Sequence, residues 1–249
     1  MARQRFEKEL TLARGIQRGL LPAAPPLLAG FDIGVVSEPC LEVGGDYYDF
    51  LPLGVNTLLV VADVEGKGIS SALIMSNLQA SLRSLVRNLH SLETIMSSLN
   101  EVIRVDTKAQ KFLSMFLGLI DVRGQMLHYV NAGHVPPILI RSSGETVLLE
   151  TGGLLVGLFN SPEYSRGRIQ LRRNDVLLLC TDGIVEANNP NLEEYGAERL
   201  INFVRGHQAC GAQELVAAVN NDVKRFAQAM PPTDDRVLIA IKVGQTRSA

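Results

Sequence analysis

The sequence predicts a layered, antiparallel α+β domain. Three observations lead there. Short apolar runs of strand length dominate the middle of the chain, with tight turns at Arg123-Gly124 and Ser143-Gly144. Helical periodicity comes in adjacent pairs, not once after each strand, which disfavours a doubly wound parallel sheet. The 249 residues are 46% apolar and 20% charged, enough for a sizeable core.

Residues 3–20 read as a helix. Phe6, Leu10, Ala13 and Leu20 fall on one stripe, with Gln17 as its polar member. Pro22 ends this helix, and Pro25-Pro26 follow as a hinge. Such a helix packs on a second copy, connects to an upstream domain, or lies on its own core. Strands are expected at 31–37, 47–53 and 57–64. Gly66 and Gly68 stop the third, and a helix rich in small residues follows over 69–88. A second helix runs from the His90-Ser91 turn to about Asp106. A meander of strands comes next at 112–121, 126–131, 137–141 and 146–150, then a hairpin at 168–171 and 176–181. Helices at 197–205 and 212–228 precede a last strand at 237–243. There is no internal repeat, so one domain plus an N-terminal helix is expected.

Charge and composition exclude several function classes. The net charge is −2 with no block of like charges, so no basic face for nucleic acid is expected. The longest apolar runs, 57–62 and 176–180, are too short to span a bilayer. The N-terminus has no apolar signal core, which points to a cytoplasmic protein. Cys40, Cys180 and Cys210 lack metal-ligand spacing and read as small buried apolar residues.

The chemistry lies in four acidic clusters: Gly44-Gly45-Asp46, Ala62-Asp63-Val64, Thr181-Asp182-Gly183 and Thr233-Asp234-Asp235. They hold five of the eleven aspartates, each at the end of an apolar run. In an antiparallel sheet the end of one strand lies beside the start of its neighbour, so all four clusters can meet at one edge. Two carboxylates about 5 Å apart repel by roughly 3 kcal/mol at an effective dielectric near 20. Five together therefore call for cations. Oxygen-only donors select Mg²⁺ or Mn²⁺ over Zn²⁺, and two such ions can share a carboxylate and a water. The sequence has no cysteine-phosphatase loop, aspartyl-nucleophile segment, phosphate-binding loop or serine-hydrolase elbow. A metal-dependent phosphoester hydrolase is the leading reading.

The runs Val43–Phe50 (VGGDYYDF), Ala62–Gly68 (ADVEGKG), Asn131–Pro137 (NAGHVPP), Thr181–Ala187 (TDGIVEA) and Thr233–Arg236 (TDDR) occur in this order, after Ile16–Pro22 (IQRGLLP). Together they resemble the SpoIIE/RsbU branch of the metal-dependent PPM (type 2C) serine/threonine phosphatases, over about residues 10–243. The resemblance implies a four-layer αββα sandwich, two antiparallel sheets flanked by helix pairs. It implies domains at 1–22 (a linker or coiled-coil-like helix), 23–243 (the phosphatase domain) and 244–249 (a disordered tail). It also implies two Mn²⁺ or Mg²⁺ ions bridged by Asp63, with the Val64 carbonyl as a further ligand. Asp182 and one or both of Asp234 and Asp235 would complete the first ion, and Asp46 would bind directly or through water.

On this reading Asp46, Asp63, Asp182 and Asp235 are catalytic through metal-bound water that attacks phosphorus in line, with no phosphoenzyme. The implied substrate is a phosphoserine or phosphothreonine on a STAS-type anti-sigma-factor antagonist. An upstream sensor domain and a homodimer through the N-terminal helix are further implied partners. The alternative is a regulatory binding module of the same fold without turnover.

Some residues depart from the family pattern or stay open. Glu65 is expected to face solvent, and Val237 and Ser114 stand in place of threonines. His134 is read as a structural hydrogen bonder, not a general acid. Lys67 either contacts phosphate or is a solvated turn residue. Because only 64–68 separate Asp63 from the next helix, pairing of the N-terminal helices is expected to move that helix and set metal affinity.

Overall fold

The computed structural model describes residues 2–88, 91–228 and 230–244. The runs expected as strands form two sheets. One joins β1 (Phe31–Glu38), β6 (Ile138–Ile140), β7 (Thr146–Leu148), β10 (Val176–Cys180) and β11 (Arg236–Val243), in the spatial order β1-β11-β10-β6-β7. The other runs β2-β3-β4-β5-β8, from β2 (Tyr47–Leu53), β3 (Asn56–Val64), β4 (Leu113–Asp121), β5 (Met126–Ala132) and β8 (Gly152–Gly153). β9 (Gly167–Gln170) pairs with β5 off that path.

Side chains alternate between the two faces of a strand, and this period of two builds the layers. Along β3, Leu58, Val60, Ala62 and Val64 pack outward with Met75, Leu78 and Leu82 of α2 (Ile69–Leu85). Ile95, Met96, Leu99 and Ile103 of α3 (Leu92–Asp106) complete that outer layer. Leu59 and Val61 turn inward and meet Leu177, Leu179, Val237 and Ile239 of the other sheet. On the far side, Leu178, Cys180, Leu238 and Ala240 are covered by α5 (Ala197–Gly206) and α6 (Ala212–Ala227). The result is the four-layer αββα sandwich. A buried Arg141–Asp175 pair, 2.5 Å apart, closes one end of the β10 sheet.

The first helix, α1 (Ala2–Leu20), lays Leu10, Ala13, Gln17 and Leu20 half-buried against the body. Phe6, expected on the same stripe, is 56% exposed. Further expectations differ. The runs at 168–171 and 176–181 do not form a hairpin: β9 pairs with β5 in one sheet and β10 with β11 and β6 in the other, and the expected meander divides between the two sheets after β5. α2 ends at Leu85, three residues short of the expected end, and residues 86–88 form a turn. β8 pairs with β5 in parallel, an exception to the antiparallel rule. Its two residues are both glycine and carry no side-chain pattern to read. The Asp182 turn is a one-turn helix, α4 (Asp182–Val185). Cys180 is buried as expected, but Cys40 and Cys210 are half-exposed. His90, part of an expected turn, and the tail 245–249 lie outside the described residues.

Candidate metal centre

The same period of two aims the aspartates. Tyr48 and Phe50 of β2 and Leu59 and Val61 of β3 face between the sheets. Asp46 and Asp63 are in phase with them. In β11, Val237 and Ile239 face inward, and Asp235 stands two residues earlier. Register then brings the clusters together in pairs. Tyr47 is opposite Ala62, which sets Asp46 beside Asp63. Cys180 is opposite Leu238, which sets Asp182 beside the Asp234-Asp235 turn. One pair belongs to each sheet, and both lie at the same end of the sandwich. Thr181 Oγ1 crosses the gap and donates to Asp46 Oδ2 at 2.7 Å. The same hydroxyl accepts from Val237 N at 2.9 Å, so Thr181 stands at the start of α4 without capping it.

Asp234 and Asp235, which sequence did not separate, have different surroundings. Asp235 is 3% exposed. Its Oδ1 accepts from Cys40 N and its Oδ2 from Gly45 N, both at 2.7 Å. A side chain at Gly44 would put a carbon 2.3 Å from Asp235 Oδ2, and one at Gly183 would lie 2.0 Å from the Asp235 carbonyl oxygen. The two glycines let three loops close around this carboxylate. Asp234 faces outward, 2.8 Å from Lys67 Nζ. Lys67 also donates to the Thr233 carbonyl. It is therefore paired with the Asp234 turn and still partly exposed. The Val64 carbonyl points toward the 44–46 loop, 2.9 Å from where a Gly45 side chain would begin.

Burial, and then the charges of Asp182, Asp234 and Asp235, push the Asp63 carboxyl up to about 7. Asp46 is driven well above the ordinary range by burial and by Asp63. It donates toward Asp63 and offsets part of that rise. Asp182 is raised by burial and by Asp234. Among the described residues, no three acidic, histidine or cysteine groups surround one point closely enough to hold an ion as they stand. The hydrogen bonds say why. Asp46 is turned to Thr181, Asp234 to Lys67, and Asp235 to two backbone amides. The donor set still fits a hard cation in chemistry and in charge: it is all oxygen, and its members raise one another's proton affinity.

Several neighbours escaped the sequence. Gln17 of α1 holds Gly44 at both ends, its Nε2 donating to the carbonyl at 2.7 Å and its Oε1 accepting from the amide at 3.1 Å. The signal was present as the one polar member of an apolar stripe. Gln17 thus ties α1 directly to the 44–46 loop, a route other than the expected one through α2. Arg14, Gln17, Arg18 and Leu21 wall a cavity of about 190 Å³ that reaches Asp46 and Asp235. Glu65 turns away from the centre and pairs with Lys111 at 2.7 Å.

A family model described as Stage II sporulation protein E (SpoIIE) matches residues 54–244. The chain belongs to the SpoIIE family. Within and around that family, it is 29% identical to the phosphoserine phosphatase RsbU of Bacillus subtilis, across 96% of this chain and 71% of RsbU. The SiaA-PP2C domain of Pseudomonas aeruginosa superposes with a TM-score of 0.87 at 20% identity, covering 97% of this chain and 98% of that one. The catalytic domain of the serine/threonine phosphatase PstP, solved with two manganese ions, superposes at 0.64 with 16% identity, covering 86% of this chain and 99% of that one. The sandwich of this SpoIIE-family chain is therefore the PP2C fold. Among the described residues no helix is long and apolar enough to cross a membrane.

Proposed function

We propose that this chain is a divalent-cation-dependent serine/threonine phosphoprotein phosphatase. One observation carries the reading: carboxylates from two sheets converge at one end of the sandwich and raise one another's proton affinity. RsbU, a phosphoserine phosphatase by name, supports it, as do the manganese ions bound to PstP. Asp63 would bridge two Mn²⁺ or Mg²⁺ ions, with Asp182, Asp235, Asp46 and the Val64 carbonyl around it. Asp234, tied to Lys67, is the weaker ligand and holds the turn that carries Asp235. When bound, the ions neutralise phosphoryl oxygens and make water a nucleophile at neutral pH.

The protein's own groups do the positioning. Backbone amides of Cys40 and Gly45 fix the Asp235 carboxylate, and Thr181 fixes Asp46. The half-buried Asp63, whose carboxyl is raised to about 7, would hold a cation in place of a proton. The substrate proposed is a phosphorylated STAS-type antagonist of an anti-sigma factor, by likeness to RsbU. The domain limits 1–22 and 23–243, a dimer through α1 and an upstream sensor belong to the same proposal.

The test is phosphate release from a phosphorylated STAS domain with Mn²⁺, Mg²⁺ or EDTA. Release that needs the cation and disappears in Asp63→Asn is the expected result. Binding of the phosphoprotein without release would replace the enzyme with a regulatory binding module.

A further inference from the structure

His134 is buried, 4% exposed, and no step above uses it. It sits in the 131–137 turn that follows β5, and that turn is wired to itself. Asn131 Oδ1 accepts from His134 N at 2.8 Å. Asn131 Nδ2 donates to the His134 and Leu149 carbonyls, both at 3.1 Å. The backbone under the ring is thereby fixed. Nδ1 lies 2.8 Å from Ser114 Oγ. Ser114 is the residue directly opposite Asp63 in the β3–β4 register. The other edge of the ring faces the backbone oxygen of Cys180, the last residue of β10. From Cys180 the chain runs into Thr181, which holds Asp46, and then into Asp182.

Among the described residues Nε2 has no partner of good hydrogen-bond geometry, so the Cys180 contact is a facing, not a tight bond. Burial pushes the ring down to about 4, and it is neutral at neutral pH. Ser114 donates to Nδ1, and the remaining proton sits on Nε2 toward Cys180. One edge of the imidazole thus touches the strand beside Asp63 and the other faces the strand that leads to Asp182.

We propose that His134 is a positioning residue that sets the spacing between the two halves of the centre, one on each sheet. The inference rests on the reading of that centre as a cation site. His134 does not touch the reacting atoms. It acts through Ser114 on the β3 side and through the end of β10 on the other. An apolar side chain of similar size fills the space but leaves the two strands without a polar link. Partners outside the ligand shell orient the ligands, and losing one typically weakens metal binding about 10–100-fold.

The experiment is calorimetric titration of Mn²⁺ into the metal-stripped 249-residue protein, with thermal midpoints recorded alongside. His134→Leu and Ser114→Ala should each weaken Mn²⁺ binding about 10–100-fold. Ser114→Thr, which keeps the hydroxyl, should stay within about threefold of wild type. Val219→Ala, in the α6 core away from the centre, should lower the midpoint and leave affinity alone. Wild-type affinity in both His134→Leu and Ser114→Ala overturns the inference, as does an equal loss in Val219→Ala. Where His134→Leu fails to fold, the Ser114 pair decides. Wild-type protein that takes up no Mn²⁺ overturns the cation reading itself, which a normal wild-type titration with unaffected variants would not.

Discussion

At the scale of single residues, the centre shows how far a carboxylate's role can be read from its neighbours. The five aspartates were visible in sequence because each borders an apolar run, but their division of labour was not. Asp235 and Asp234 are adjacent in the chain, yet one is enclosed by backbone amides and the other paired with Lys67. That difference arises from residues nearly 200 positions away, which no local pattern encodes. Asp63 carries the sharpest consequence. Its carboxyl binds a proton more tightly in the fold, near 7, than in the unfolded chain, near about 4. Without metal, the fold therefore loses stability as pH rises through about 7. In EDTA at pH 8, Asp63→Asn should melt several degrees above wild type, and the gap should shrink at pH 5 and close below about pH 4. A variant that melts below wild type at pH 8 would remove the charge-repulsion account.

Among the elements, helices and strands were legible where periodicity was strong, and illegible where an element is short. β3 and α3 follow their patterns, whereas β8 and α4, of two and four residues, leave none to follow. α1 was legible as a helix but not as a contact with the centre. The physical reason is that Gln17 bonds backbone groups of Gly44, and a backbone partner has no sequence signature. Gln17→Ala frees the loop that holds Gly45 against Asp235. It should weaken Mn²⁺ binding several-fold while moving the thermal midpoint little, because net hydrogen bonds of this kind contribute about 1 kcal/mol. Deleting residues 1–20 should shift Mn²⁺ dependence in the same direction. Unchanged titrations for both would show that α1 does not communicate with the centre.

For the whole molecule, the sandwich divides stability from function along its length. At the end away from the carboxylates, the buried Arg141 joins Asp175 and the Gln170 carbonyl, linking the edges of the two sheets. Arg141→Ala leaves Asp175 buried and unpaired, a change that typically costs about 3–5 kcal/mol. Denaturant unfolding should show that loss while Mn²⁺ affinity stays as in wild type; a parallel fall in affinity would mean that the two ends are mechanically coupled. The layered class was readable from paired helices and short strands, because both are local patterns; the division of the expected meander between two sheets was not. That the acidic clusters could meet at one edge was readable too; that one pair comes from each sheet was not, because it depends on how the sheets stack. At that seam a bound ion would be a gauge of the distance between two walls. Inter-sheet side chains such as Phe116 and Tyr129, stacked with ring centroids 5.5 Å apart, act as its shims. Chemistry at the rim can then be tuned from the hydrophobic interior, by variants that alter neither a ligand nor the surface a substrate meets.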